Sequence, residues 1–283
     1  MIFVVGHTGR VGGYLYHAYQ RSGFQTIGIG RGHDYSVADL PLRNGPIDSS
    51  LNCIVYAALS SDRPYTPLQR EGDLNALWHC IEWAGRLKAR PRLVFFSSIS
   101  VYENLKSGLT DTGIELSCNT PYAQMKLDSE NLIKRFRKNF GSIDILRCGA
   151  LLVDPTKDES FMGRLVTAVK EQQTLELVNP NNRFNALIMA ADLFRLINSL
   201  LSLTPRKNPV ATYNVGSTDP LTMGEIAEYT ASRLGAVNSV KWRKDSTVGE
   251  RVLRYPPSLS ERLPTVKESL DKYTSQFQGL QKR

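Results

Sequence analysis

The segment Val5-Gly6-His7-Thr8-Gly9-Arg10-Val11-Gly12-Gly13 decides the fold of this 283-residue chain. It follows the apolar run Ile2–Val5 and opens an amphipathic, helix-like stretch. Gly6 allows a tight turn, Gly9 lets the backbone approach a ligand, and Gly12 lets helix and strand pack closely. The helix N-terminus would direct free N–H groups at an anion. An ordinary glycine-rich turn is the alternative, but the context favours a dinucleotide-binding turn that uses Gly6, Thr8, Gly9, Arg10, Val11 and Gly12.

The first half of the chain alternates short β-rich runs with helical segments. The runs are continuously apolar, which is typical of parallel strands buried on both faces. Five strands are predicted, at Ile2–Val5, Thr26–Ile29, Cys53–Tyr56, Leu93–Ser97 and Ile143–Arg147. Helices are predicted between them, at Arg10–Ser22, Asp73–Leu87 and Pro121–Asn139. This repetition predicts an α/β fold with a doubly wound parallel sheet.

The pattern becomes less regular after Gly149. Helices are predicted over residues 161–171 and 191–203, and strands near 174–178 and 184–189. We therefore predict a dinucleotide-binding domain over residues 1–150, which also receives the strand near 184–189. Residues 151–283 are predicted to form mainly a smaller substrate-binding lobe, interleaved with the first domain. The segment 30–52 shows no helical period and is predicted to be a loop or a single turn.

Composition excludes several classes of protein. Apolar residues make up 41% of the chain and charged residues 22%, which excludes collagen-like and wholly disordered chains. The net charge of +8 fits a solvated surface of mixed sign or an anionic small-molecule partner. Nucleic acid is disfavoured, because no basic stripe with interleaved aromatic residues occurs.

Cysteine usage and hydropathy bear on metal sites and location. The cysteines are dispersed along the chain, at Cys53, Cys80, Cys118 and Cys148, so we expect neither a zinc site nor a disulfide framework. The chain opens directly on an apolar strand without a basic leader. No apolar run approaches the ~18 residues that span a bilayer. We therefore expect a cytoplasmic protein that binds no membrane and no metal.

The end of the second predicted strand indicates which dinucleotide would bind. The sequence Gly28-Ile29-Gly30-Arg31 lacks the Asp or Glu that holds the ribose 2′-hydroxyl of NAD. The Arg31 guanidinium can instead pair with the 2′-phosphate of NADP, with Arg10 nearby in the turn. Both arginines are equally compatible with ordinary surface positions. The preferred cofactor is therefore NADP, with NAD as the alternative.

The segment Tyr122-Ala-Gln-Met-Lys126 places a phenol and an ammonium on one face of a predicted helix. A free phenol has a pKa of about 10, and a neighbouring ammonium favours the phenolate, which suits proton transfer near neutral pH. Tyr102 and Lys106 have the same spacing, so the spacing alone carries little weight. Thr120 and Pro121 are typical of a helix start and favour the first pair. We predict that Tyr122 is the acid/base and Lys126 its partner, with both also contacting the cofactor.

Several segments resemble the extended short-chain dehydrogenase/reductase family, in its NAD-dependent epimerase/dehydratase-like branch. They are the glycine spacing of residues 6–12, the block Ser97-Ser98-Ile99-Ser100-Val101-Tyr102, the Tyr122–Lys126 pair and Tyr213-Asn-Val-Gly-Ser217. The resemblance implies a Rossmann-type fold. It also implies that Ser98 is the catalytic serine that hydrogen-bonds the reacting oxygen, 24 residues before Tyr122. Tyr102 is then a structural residue.

The resemblance implies further cofactor contacts. Asp39 resembles the family's aspartate beside the adenine, and Ala57 and Ala58 resemble its pair of small residues under the cofactor. Asn75 matches a family asparagine near the cofactor, although an ordinary helix-surface asparagine fits nearly as well. A homodimer paired through the second and third predicted helices is also implied.

The implied reaction is hydride transfer at a carbinol or carbonyl carbon. Dehydratases and decarboxylases of the family carry acidic residues after the catalytic serine. This chain has Ile99 and Ser100 there, so both reactions are disfavoured. A nucleotide-sugar epimerase or 4-ketoreductase is the first hypothesis.

The substrate side departs further from the family. Ala150 stands where many members have Asn, and Ile188 replaces a family His. Two interpretations apply equally to Arg183, Arg251 and Arg254: binding of a diphosphate, and ordinary exposed surface positions. An NADPH-dependent reductase of a non-sugar ketone is therefore an alternative, as is a non-enzymatic NADP-sensing regulator. The retained tyrosine and lysine argue against the regulator.

Overall fold

The computed structural model describes residues 1–30, 51–59, 65–102, 109–110, 112–113, 116, 118–154, 158, 160–203, 208–237, 240–245 and 248–279. In chain order the elements are β1 (Ile2–Val5), α1 (Arg10–Arg21), β2 (Thr26–Ile29), β3 (Cys53–Tyr56), α2 (Pro67–Arg86), β4 (Arg92–Ser98), β5 (Leu109–Thr110), α3 (Pro121–Arg135), β6 (Ser142–Cys148), β7 (Ala150–Leu152), α4 (Phe161–Lys170), β8 (Leu175–Val178), β9 (Arg183–Phe184), β10 (Leu187–Met189), α5 (Ala190–Leu201), β11 (Val210–Val215), β12 (Leu221–Thr222), α6 (Met223–Leu234), β13 (Val240–Arg243), β14 (Val252–Leu253), α7 (Pro257–Ser260) and α8 (Val266–Gly279). Short 3₁₀ helices follow β4 and α3, at Ile99–Tyr102 and Arg137–Asn139. Most of the predicted loop over 30–52 lies outside the described residues.

A six-stranded parallel sheet has the strand order β11-β6-β4-β3-β1-β2. Val5 at the end of β1 is in register with Ile29 of β2 on one side and with Tyr56 of β3 on the other. The chain therefore leaves β1 for one side of the sheet and returns to its other side. Such a reversal opens a crevice at the carboxyl ends of the strands, where open α/β sheets bind ligands. The predicted doubly wound α/β fold is confirmed.

Burial of the strands holds this sheet in place. All four residues of β1 and all four of β3 are buried, as expected for strands covered on both faces. Phe3 of β1 stacks on Trp83 of α2 with ring centroids 5.2 Å apart. Each large side chain buried in this way contributes about 1.5–3 kcal/mol. The packed core therefore holds the strands, and with them their carboxyl ends at the crevice, in a fixed position.

The chain divides into two compact units that are interleaved in sequence. The first comprises residues 1–104, 116–147 and 197–213, and the second comprises residues 105–115, 148–196 and 214–283. In the second unit, α4, α6 and α8 share one apolar cluster. Within the described residues, no helix is long and apolar enough to cross a membrane.

The strand predicted near 184–189 does not join the main sheet, and this part of the prediction is wrong. The run is split into β9 and β10, and β10 pairs in parallel with β7. Asn185 interrupts it, because its amide both donates to Leu253 O (3.1 Å) and accepts from Leu253 N (2.7 Å). The sixth strand of the sheet is Val210–Val215 instead.

Candidate functional site

The glycine turn follows β1 at the crevice. Gly6 has φ +89°, which glycine adopts without strain. A Cβ at Gly6 would lie 2.6 Å from Ala58 Cα, and one at Gly12 would lie 2.2 Å from Gly6 O. Both positions therefore require glycine, since any side chain would collide with backbone. The turn packs directly against Ala57 and Ala58, both half-buried, which places these sequence-predicted residues together.

Helix α1 begins in this turn with an open N-terminus. Its N-cap is Gly9, which has no side chain to accept a hydrogen bond. By contrast, side chains cap five other helices, through Thr66, Thr120, Ser160, Thr222 and Thr265. Thr8, Gly9 and Arg10 are exposed and Val11 is half-buried. The N-terminus of α1 therefore has no side-chain cap, and helix N-termini of this kind can bind phosphate.

The end of β2 lies against the same turn, a contact that the sequence did not reveal. A Cβ at Gly28 would lie 2.5 Å from the His7 ring, and one at Gly30 would lie 3.1 Å from Thr8 Cγ2. Gly28 of β2 and Gly30, directly after the strand, therefore make room for the side chains of the turn. Arg31 follows directly after Gly30, but Arg31 and Asp39 lie outside the described residues.

Helix α2 carries Asn75, the remaining predicted cofactor contact. Asn75 is exposed, whereas Asp73 two positions earlier is buried. The carboxylate of Asp73 accepts a hydrogen bond from the Tyr65 hydroxyl at 2.8 Å. The two side chains therefore leave α2 in different directions, one toward the interior and one toward solvent.

The predicted Tyr122–Lys126 pair lies at the start of α3. The Thr120 hydroxyl accepts from Ala123 N at 3.1 Å and caps the helix, as its sequence predicts. Lys126 is only 5% exposed, and its ammonium donates to the carbonyl of Phe96 at 3.1 Å. The same nitrogen lies 5.5 Å from the ring centroid of Tyr122. A buried ammonium therefore stands beside a half-buried phenol, which is the combination that favours proton transfer.

Ser98 lies at the carboxyl end of β4, where the family resemblance assigned the catalytic serine. It is 7% exposed, and its Oγ accepts from Ser100 N at 3.1 Å in the following 3₁₀ turn. The Phe96 carbonyl that receives Lys126 is two residues earlier on the same strand. The end of β4 therefore carries the predicted serine and is hydrogen-bonded, through the Phe96 carbonyl, to α3, the helix of the predicted acid/base.

Glu130 continues the helix face of Tyr122 and Lys126, and sequence reasoning missed it. Its fully buried carboxylate accepts from Ser97 Oγ (2.7 Å) and from two nitrogens of Arg147 (2.9 and 2.8 Å). Burial opposes the ionised form, but the hydrogen bonds and charge of Arg147, aided by Ser97, outweigh it and lower the pKa of Glu130. The spacing of Tyr122, Lys126 and Glu130, four residues apart on a helix, was the available signal.

Tyr102 belongs to this buried cluster. Arg147 donates to its hydroxyl at 2.7 Å, and Tyr102 is 6% exposed. The contact agrees with the structural role predicted for Tyr102. The other member of its pair, Lys106, lies outside the described residues.

The positions that depart from the family are placed as follows. Ile99 and Ser100, which stand where dehydratases have acids, are both buried directly after Ser98. Ile188 is fully buried in β10, and Ala150 is half-buried in β7. Neither of these last two side chains offers a hydrogen-bonding group to a substrate.

The three candidate arginines differ in their surroundings. Arg183 forms an ion pair with Glu250 at 3.3 Å. Arg251 is half-buried and Arg254 is exposed. All three lie in the second unit.

The chain matches a known protein family. The model of the NAD dependent epimerase/dehydratase family matches residues 2–216, which contain the glycine turn and the Ser98, Tyr122 and Lys126 positions. The chain belongs to this family. It is therefore an enzyme of the extended short-chain dehydrogenase/reductase type. No curated protein matches its sequence significantly.

Solved structures share the fold over essentially the whole chain. One is dTDP-glucose 4,6-dehydratase from Bacillus anthracis in complex with NAD, with 18% identity, TM-score 0.78, and 99% of this chain and 97% of that chain covered. UDP-glucose 4-epimerase from Thermus thermophilus with NAD gives 16% identity, TM-score 0.75, and coverage of 98% and 99%. RMD from Pseudomonas aeruginosa complexed with NADPH gives 19% identity, TM-score 0.74, and coverage of 98% and 99%. At these identities the likeness establishes the fold.

Proposed function

We propose that this family member transfers hydride between a nicotinamide dinucleotide and a carbinol or carbonyl carbon of a nucleotide-sugar, as an epimerase or 4-ketoreductase. The observation that carries the proposal is the buried Lys126 ammonium, 5.5 Å from the Tyr122 ring and bonded to the end of β4. A buried cation is costly and persists where it is paired or used. Here it stands beside a phenol at the carboxyl edge of the sheet.

Each residue of the site has a distinct role in this proposal. In the oxidative direction Tyr122, as phenolate, takes the hydroxyl proton of the substrate, and in the reductive direction it returns that proton to the carbonyl oxygen. Lys126 stabilises the phenolate by its charge. Ser98 donates a hydrogen bond to the reacting oxygen and so orients it. A bound nicotinamide ring supplies or accepts the hydride.

The cradle for the dinucleotide is formed by the glycine turn. Gly6 and Gly12 keep the turn tight, because a Cβ at either position would collide with backbone atoms. The N-terminus of α1, which no side chain caps, would then receive the pyrophosphate. We propose further contacts from Thr8, Arg10 and Val11 in the turn, from Ala57 and Ala58 beneath it, and from Asp39, Asn75, Tyr122 and Lys126.

NADP is the preferred cofactor. The end of β2 has no carboxylate to hold a ribose 2′-hydroxyl, and Arg31 follows it, with Arg10 at the start of α1. Titration of the protein with NADPH and NADH, followed by nicotinamide fluorescence, measures the preference. We expect tighter binding of NADPH, and Arg31→Glu should abolish the difference because it repels the 2′-phosphate. Equal affinities in the wild type would refute the preference.

The nucleotide-sugar assignment is supported by relatives of the same fold, such as the UDP-glucose 4-epimerase. The buried Ile99 and Ser100 favour epimerisation or reduction over dehydration, since neither can protonate a leaving hydroxyl. A reductase of a non-sugar ketone is the second candidate, favoured by the apolar Ala150 and Ile188, which stand where the family resemblance implies Asn and His. The proposal also includes a cytoplasmic homodimer paired through α2 and α3, which light scattering on the purified protein would test.

Turnover assays test the proposed function. Purified protein is incubated with UDP-glucose, UDP-N-acetylglucosamine, UDP-glucuronic acid or dTDP-glucose in the presence of NAD or NADP. Reduced cofactor is read by absorbance and sugar products by chromatography. Tyr122→Phe should lower turnover by at least ~100-fold while NADPH still binds, because the variant lacks the transferable proton but keeps the glycine turn and Lys126. A fully active Tyr122→Phe variant would overturn the assignment.

A further inference from the structure

Tyr65 contacts the ring of the proposed acid/base. It lies directly before Thr66, the N-cap of α2, and is only 7% exposed. Its ring centroid is 6.0 Å from that of Tyr122, and the two ring planes are inclined at 78°. Perpendicular aromatic pairs at this separation are attractive and geometrically specific. The Tyr65 ring and the Lys126 ammonium therefore both lie beside the Tyr122 ring.

Tyr65 is itself held firmly. Its hydroxyl donates to the buried carboxylate of Asp73 at 2.8 Å, which ties the ring to α2. Helix α2 is in turn joined to α3 by Arg70, which donates to Asp128 at 2.6 Å. Burial, together with the hydrogen bond to Asp73, raises the pKa of Tyr65 above its usual value. Tyr65 therefore stays protonated near neutral pH and cannot replace Tyr122 as the base.

We propose that Tyr65 is a positioning residue that fixes the orientation of the Tyr122 ring by perpendicular ring contact. The inference rests on the function proposed above and adds to it a residue outside the serine, tyrosine and lysine of the family. The Tyr122 hydroxyl lies on the axis of ring flipping and is moved only by rotation about the Cα–Cβ bond. Contact with the Tyr65 ring opposes both motions, so the flip rate reports how tightly the ring is packed and this packing holds the hydroxyl in place. Because proton transfer needs the donor and acceptor atoms within hydrogen-bond distance, this confinement acts on the chemical step.

The chain offers a matched control for the test. Tyr229 in the second unit donates to Asp271 at 2.9 Å, the same tyrosine-to-aspartate hydrogen bond on different elements. The variants are Tyr65→Leu, which removes the ring, and Tyr65→Phe, which keeps the ring but releases it from Asp73. Tyr229→Leu and Tyr229→Phe are the paired controls.

The first measurement is the flip rate of the Tyr122 ring, read by NMR on protein with ¹³C-labelled tyrosine rings. Tyr122→Phe assigns the signal by its loss. We expect the ring to flip about 10-fold faster or more in Tyr65→Leu, since the ring that blocks rotation is gone. Tyr65→Phe should lie between Tyr65→Leu and the wild type, and decides the matter if Tyr65→Leu does not fold. A wild-type flip rate in the folded Tyr65 variants would overturn the proposal.

The second measurement is turnover of UDP-glucose. In Tyr65→Leu, kcat should fall about 10- to 100-fold, as small misplacements of catalytic groups do, while KM and NADPH affinity stay within about twofold. Both Tyr229 variants should keep wild-type kcat. Full activity of Tyr122→Phe would refute the proposed function but would leave the flip-rate result valid. An increased flip rate with unchanged kcat would instead refute the positioning role itself.

Discussion

The hydroxyl of Ser97 donates to the carboxylate of Glu130 over 2.7 Å, and so ties the end of β4 to the helix that carries Tyr122 and Lys126. Ser97 immediately precedes Ser98, and Glu130 is one turn beyond Lys126. Arg147 of β6 completes the connection by two further hydrogen bonds to Glu130. Three elements that carry or flank the proposed catalytic groups therefore meet at one buried carboxylate.

Removal of the Ser97 hydroxyl of β4 should cost more stability than removal of the buried Ser129 hydroxyl of α3. Ser97→Ala deletes a hydrogen bond to an ionised group, worth about 1.5–3 kcal/mol. Ser129→Ala is the control, because Ser129 is also fully buried but donates to the neutral carbonyl of Met125. That variant should lose no more than about 0.5–1.5 kcal/mol. Urea unfolding of both variants measures the difference, and equal losses would contradict the view that Glu130 is ionised.

Glu130→Gln should destabilise the protein and alter its acid unfolding. Breaking a buried ion pair leaves the Arg147 charge uncompensated and costs about 3–5 kcal/mol near neutral pH. The folded protein holds the pKa of Glu130 below its usual value, so this stabilisation is present above the unfolded pKa and is lost as the pH falls through the folded pKa. The difference in the free energy of unfolding between wild type and Glu130→Gln should therefore become smaller as the pH falls below about 4.

The control for this experiment is Glu228→Gln, which removes an exposed carboxylate of α6. Its free energy of unfolding should follow that of the wild type within about 0.5 kcal/mol. Denaturant titrations between neutral pH and pH 3 measure both differences. A difference for Glu130→Gln that stays constant over this range would show that Glu130 is not ionised in the folded protein.

Substitution at two helical glycines should have opposite effects. In Gly12→Ala the new Cβ would lie 2.2 Å from Gly6 O, so the turn must shift, at a cost of about 1–3 kcal/mol and with loss of dinucleotide affinity. Gly72 lies in α2 with nothing within 4 Å of such a Cβ. Gly72→Ala should therefore stabilise the protein by about 0.5–1 kcal/mol without changing NADPH binding. Thermal unfolding and fluorescence titration read both effects, and unimpaired NADPH binding by Gly12→Ala would argue against the turn as the cofactor cradle.

The sheet could be predicted from the sequence because each strand is a continuous apolar run between turn residues. The predicted bounds of β1, β2 and β3 coincide with the observed ones. Helix α2 begins at Pro67 instead of the predicted Asp73, since the Thr66–Gln69 capping box was not recognised as its start.

The parts of the site that could be predicted each lie within one short segment of the sequence. The glycine turn and the Tyr122–Lys126 pair depend on local spacing, and the structure brings the latter to the end of β4. The contact of Ser97 with Glu130 joins residues 33 positions apart, and the contact of Tyr65 with Tyr122 joins residues still farther apart in the sequence. Tertiary packing brings such partners together. Helical spacing places Glu130 on the face of Tyr122 and Lys126, but no sequence pattern identifies Ser97 or Tyr65 as a partner.

The packing of β2 against the glycine turn gives a last prediction, tested by a double-mutant cycle at Gly28 and His7. A Cβ at Gly28 would lie 2.5 Å from the His7 ring, so Gly28→Ala must displace that ring and should cost about 1–3 kcal/mol in the wild-type background. In a His7→Ala background the ring is gone and the same change should cost little. The coupling free energy between the two substitutions should therefore be about 0.5–3 kcal/mol, as for residues in direct contact, and denaturant unfolding of the four proteins measures it. NADPH affinity should follow the same pattern, because the displaced ring belongs to the turn that would hold the pyrophosphate. Additive effects on both stability and NADPH binding would mean that Gly28 of β2 and the His7 ring are not in contact in solution.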